Sequence, residues 1–217
     1  MRKAVLVAAS LLIAGCSHST TGHPEQTSTT PVTTASTSVR PAAAAPAAGA
    51  SISDVIAWIE AGAPTDVAGY HRATREGVTT DLGDDVAFRV EKVSCMTDVK
   101  HTGGALACLV DLAHPPPRPT AVYGPWLGGW VDFDGASLQV GSSHADPGPF
   151  SRGDGPELPT GASLSFGDYR CRAGEVGVLC VNYAHRSAVR LAAAGVEHFG
   201  CLRSVPPPDG VAEKFSC

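Results

Sequence analysis

The chain has 217 residues, 43 % of them hydrophobic, and 16 Lys and Arg against 21 Asp and Glu leave a formal charge of −5. No long basic run offers counterion release on a polyanion, so a nucleic-acid partner has no support. One segment of ordinary composition, residues 51–217, is long enough for a single domain with a substantial core.

Arg2 and Lys3 precede an apolar run from Ala4 to Ala14. A charged n-region followed by so short an h-region reads as a signal peptide over residues 1–15. A lasting bilayer span needs roughly 20 apolar residues. The run ends in Ile13-Ala14-Gly15-Cys16, which resembles the bacterial lipobox. The resemblance implies that Cys16 receives a diacylglycerol thioether and acyl chains such as palmitate, becoming the mature N-terminus. Loss of Arg2 and Lys3 then takes the formal charge to about −7. Residues 16–50 are rich in Thr, Ser, Pro and Ala, lack leucine and aromatic rings, and read as a disordered tether from lipid to domain. The expected address is the extracytoplasmic face of a bacterial cell membrane.

The domain opens with "SISDVIAWIEAGAPTD", where Ser53 is a candidate cap and Val55, Ile56 and Ile59 recur at helical spacing until Gly62 and Pro64. Period-two alternation follows: Val86, Phe88 and Val90; then Leu106, Cys108, Val110 and Leu112, with "KHTGG" between as a turn. Val131 and Phe133 lead to a turn at Asp134-Gly135, then Leu138 and Val140. "ASLSFGDYRC" and "EVGVLCVNY" make a further pair around Ala173-Gly174. "SAVRLAAAGVEHFG" suits a short helix or more strand. Short strands between Gly/Pro-rich turns predict a mainly β, antiparallel domain with one short N-terminal helix, α+β being the variant.

Cys95, Cys108, Cys171, Cys180, Cys201 and Cys217 remain, an even number in an exported chain, and favour structural disulfides. Six cysteines allow about 15 pairings. Cys95 and Cys108 flank the first inferred hairpin, Cys171 and Cys180 the second, which leaves Cys201 and Cys217 to pin the C-terminal tail. No C-x2-4-C spacing supports zinc and no C-x-x-C a redox motif. The histidines form no H-x-H or H-x-x-x-H pair, and Asp66, Asp81, Asp84 and Asp85 lack the twelve-residue calcium-loop pattern. No metal or cofactor is expected.

The segments "VAFRVEKVSC", "ALACLVDLAHPPPRP" and "SLSFGDYRCRAGEVGVLCVNYAHRSAVRLAAAGVEHFG" resemble a group of actinobacterial, including mycobacterial, secreted proteins and lipoproteins of the Lpp type. Phe88, Cys95, Cys108, Pro115 to Pro117, Leu164, Phe166, Gly167, Cys171, Gly177, Val178, Cys180, Asn182 and His185 fall in step with it. "RVEKVS" and "AHRSA" depart from it, replacing a Ser-Pro-Ser-Gly-Asn stretch and a His-Gly-Phe motif. The resemblance implies the two hairpin disulfides and an envelope lipoprotein, and no known chemistry.

Tyr123, Trp126, Trp130 and Phe133, set among glycines, are candidates for a groove taking an envelope glycan, lipid or protein, since such rings join an apolar face to a hydrogen bond. Asn182 and His185 are further ligand-binding candidates, and the alternative for Asn182 is a backbone-satisfying turn role. A hydrolase would need His114 or His185 beside a hydroxyl and a carboxylate. No G-x-S-x-G elbow is present, and no catalytic residue is assigned. The Arg152-Gly153-Asp154 triplet is too short to support an adhesion role. The expectation is a lipid-anchored binding or scaffolding module.

Overall fold

The computed structural model describes residues 44–143 and 147–217; the expected signal peptide, Cys16 and nearly all of the expected tether lie outside them. Helix α1 (Ile52–Glu60) opens the domain, followed by β1 (Ala63–Thr65) and a hairpin of β2 (Arg72–Arg75) and β3 (Val78–Asp81). Then come β4 (Ala87–Val90), β5 (Val93–Thr97), the one-turn helix α2 (Val99–Thr102), β6 (Leu106–Val110), β7 (Leu127–Phe133) and β8 (Ser137–Ser142). A 3-10 turn spans Gly148–Arg152. The second half contains β9 (Ala162–Phe166), β10 (Tyr169–Ala173), β11 (Val178–Asn182), β12 (Ser187–Ala192), β13 (Gly195–Phe199), β14 (Arg203–Val205) and β15 (Val211–Ser216).

Two sheets face each other, and the domain is mainly β, as its sequence predicts. β4 to β8 form an antiparallel meander, extended beyond β8 by β15 and then β14. β9 to β13 form a second meander, with β1 parallel to β9 at its edge. Alternation along the strands turns Phe88, Cys95, Cys108, Val131, Phe133 and Leu138 of one sheet toward Leu164, Cys171, Cys180, Val189 and Leu191 of the other. "SAVRLAAAGVEHFG" is strand, not helix: β12 pairs with β11 and β13.

Each outer face is also covered. Val55, Trp58 and Ile59 of α1 pack on Leu179, Val181, Ala188 and Phe199. Ser51, two residues before the expected cap, holds the helix N-terminus by accepting from Asp54 N at 3.1 Å, an interaction worth about 1 kcal/mol. No basic residue lies in the last turn of α1. β10 supplies that charge from outside: Arg170 Nη2 donates to Glu60 O at 3.5 Å and Arg172 Nη1 to Trp58 O. On the opposite outer face, Ala73 of the β2–β3 hairpin and Phe150 of the 3-10 turn cover Ala87, Met96, Ala107 and Trp130.

Three disulfides brace this frame. Cys95–Cys108 joins directly opposed residues of β5 and β6, and Cys171–Cys180 does so for β10 and β11, with Cα separations of 4.1 and 4.0 Å. Both lie in the inter-sheet core. Cys201–Cys217 ties the segment after β13 to the residue after β15.

Candidate functional site

Strands β7 and β8 and the loops β3–β4, β5–β6, β7–β8, β8–β9, β9–β10 and β11–β12 supply the walls of two adjoining cavities. The larger, about 1080 Å³, is lined by Asp85, Asp98, Trp130, Asp132, Gln139 and Arg152, among others. The smaller, about 360 Å³, shares Thr102, Ala105 and Asp134 with it and reaches Tyr169, Asn182 and His185.

Asp98 is fixed in the larger cavity because it caps α2: Oδ1 accepts from His101 N at 3.1 Å, and Oδ2 lies 2.8 Å from His101 Nδ1. Asp85 Oδ1 accepts from Thr97 Oγ1 at 3.1 Å and Val99 N at 2.8 Å. Both carboxylates are buried, and Arg152 Nη2 stands 3.6 Å from each. Burial opposes ionisation of Asp98, yet hydrogen bonds from His101 and the charge of Arg152 hold its carboxyl below the ordinary aspartate range. It stays ionised, the wrong direction for a general acid. Trp130 forms part of the wall; its Nε1 donates to Asp132 Oδ2 at 2.8 Å, and its ring meets Phe150 edge-on with centroids 5.5 Å apart. Carboxylate acceptors therefore alternate with guanidinium, amide and hydroxyl donors beside an apolar wall. Such a surface holds a polar ligand by several hydrogen bonds at once.

The aromatic strip does not gather into one groove. Phe133 is in the inter-sheet core, whereas Trp130, 3 % exposed, belongs to the cluster on the outer face of the same sheet. Trp126 is half-buried with Nε1 donating to Pro116 O at 3.2 Å, and Tyr123 is 89 % exposed. Only Trp130 reaches the larger cavity. Asn182 is buried, and its Oδ1 accepts from His185 N at 3.1 Å, the turn role its position suggested. Gly135, at φ 90°, leaves the space that Asn182 fills: a Cβ there would come within 2.4 Å of Asn182 Cγ. His185 is exposed at the rim of the smaller cavity.

The residues considered for calcium are used locally: Asp66 accepts from Ala68 N and Asp81 from Gly83 N. Among the described residues no cluster of three or more His, Cys, Asp or Glu is placed to hold a metal. Both charged side chains of the Arg-Gly-Asp triplet pair within the domain. Arg152 faces Asp85 and Asp98, and Asp154 Oδ1 accepts from Ser94 Oγ at 2.8 Å. Asp98, Asp132, Gln139 and Arg152 carry no sequence signal as a site, although Asp132 falls at the outward position between inward Val131 and Phe133. No family model, no curated protein and no solved structure matches the chain.

Proposed function

We propose that the protein is a lipid-anchored, extracytoplasmic, non-catalytic binding module that presents the loop end of its sandwich to an envelope ligand. The observation that carries this reading is the cavity of about 1080 Å³ built on strands and on the cap of α2, with buried carboxylates and a guanidinium in its wall. A cavity of this size holds a small molecule or a few linked sugar units. Polyhydroxylated ligands suit it best, because each hydroxyl both donates and accepts and so matches a wall of Asp, Arg, Gln and Ser. Three disulfides agree with an oxidising, exported setting. The lipobox-like Cys16 supplies the anchor and the Thr/Ser/Pro-rich tether the reach.

No specific observation favours the hydrolase reading. The Ser187 hydroxyl is buried and donates to Gly135 O, and Asn182 Oδ1 accepts from the His185 backbone. The test is equilibrium binding of soluble envelope-glycan fragments to the wild type and to Gln139→Trp, which fills the cavity from β8. Saturable binding lost in the variant supports the reading; binding unaffected by the variant, or none across the glycan set, overturns it. Labelled palmitate incorporated by the wild type and not by Cys16→Ala tests the anchor.

A further inference from the structure

Arg172 is the one buried Lys or Arg among the described residues, 6 % exposed. It lies on the outer face of β10, because its neighbours Cys171 and Ala173 point into the core. Register places Arg172 opposite Leu179, and Leu179 opposite Arg190 on β12. The two arginines thus flank one leucine, about 10 Å apart at Cα. Both line a cavity of about 400 Å³ with Trp58, Ala44, Thr160 and Val176.

Their charges are not equally compensated. Arg190 Nη1 bonds Glu197 Oε2 at 2.7 Å, and its Nη2 donates to Pro46 O. None of the ion pairs among the described residues includes Arg172. Its guanidinium lies 4.0 Å from the Trp58 ring centroid, and Nη1 donates to Trp58 O. The α1 C-terminus offers about half a negative charge, and Arg170 shares it. Arg172 Nε has no acceptor. Burial alone moves its pKa, downward, with no carboxylate opposing the shift. Glu175, the one acidic residue among those lining the cavity, is exposed. Buried charges are ordinarily paired, and the missing partner here is an anion.

We propose that this cavity binds an oxyanion, a carboxylate or phosphate group, which pairs with Arg172 while Trp58 and Val176 contact its apolar part. The site lies on a different face from the loop-end cavity and does not depend on it.

Arginine side-chain NMR tests this on the full chain. Inorganic phosphate and acetate are titrated in an uncharged detergent; a second arm compares phosphatidylcholine bilayers with and without phosphatidylglycerol. The Arg172 Nε–H resonance, assigned by its contact with the Trp58 ring, should shift saturably with a free oxyanion or move only in the anionic bilayer. The first outcome identifies a soluble ligand, the second a lipid headgroup. Val176→Glu places a like charge at the mouth on an exposed turn and should weaken binding at least about tenfold. Arg172→Lys should also weaken it, and the exposed-turn variant serves if that protein does not fold. No saturable shift in any arm, or one unchanged by Val176→Glu, overturns the proposal and leaves Arg172 as the cap of α1.

Discussion

Tyr169→Phe separates two contributions at the point where the sheets are joined beside the candidate site. Tyr169 starts β10, and its hydroxyl donates across the sandwich to Phe133 O on β7 at 2.9 Å, buried from solvent. Removing the hydroxyl deletes this buried hydrogen bond, which costs about 0.5–1.5 kcal/mol near neutral pH. Alkaline pH should erase this cost. Burial is the main cause that pushes the Tyr169 phenol up to about 12 from 10.0, with the nearby Asp134 and Asp168 charges adding to it. The folded state therefore holds its proton where the unfolded chain releases it. The stabilisation from this linkage is fully present below about pH 10 and is lost as pH rises toward about 12, roughly 3 kcal/mol in all and about half of it by pH 11. Denaturant unfolding of wild type and Tyr169→Phe at about pH 8 and about pH 11 measures both terms. The wild-type advantage should shrink by about 1 kcal/mol between the two pH values. An advantage that is constant or grows with pH would refute the placement of a neutral, buried phenol between the sheets.

Limited reduction followed by thiol labelling and mass spectrometry should open Cys201–Cys217 first, because Cys217 is exposed whereas the other two bridges are buried in the core. Gly135→Ala should destabilise by about 2 kcal/mol or more in thermal unfolding, since it combines a left-handed φ with a clash on Asn182, whereas Gly69→Ala meets open space and should have little effect. Trp130→Ala should cost about 3–5 kcal/mol, and Trp126→Ala, half-buried, clearly less. Asp98, depressed in the folded state, contributes stability above the unfolded carboxylate pKa that is lost as pH falls through its folded value. Arg152→Ala removes one cause of that depression and should move the acid-unfolding midpoint upward in circular dichroism.

The inter-sheet core was legible because each meander strand keeps one face inward, so Val86, Phe88 and Val90, or Leu138 and Val140, alternate with outward residues. Alternation fails on β12, where Ser187, Ala188, Val189, Leu191 and Ala192 are all buried, and Ala and Leu are also good helix formers. The β2–β3 hairpin escapes notice for the opposite reason: only Ala73 is buried along it. Its turn chemistry is nonetheless present at Glu76-Gly77, both at positive φ. The aromatic strip misleads because Trp130 and Phe133, three apart in one strand, must face opposite ways once that strand forms. The candidate site joins Asp85 and Asp98, at the two chain ends of the β4–β5 hairpin, to Arg152, which the 3-10 turn packed on the sheet's outer face brings to them.

The loop-end cavity is the proposed binding surface. Amide chemical-shift mapping of the oxidised full chain with envelope-glycan fragments tests it most directly. Saturable shifts are expected at Asp85, Asp98, Asp132, Gln139 and Arg152, absent in Gln139→Trp. Shifts confined to another face, or none at saturating ligand, would contradict it.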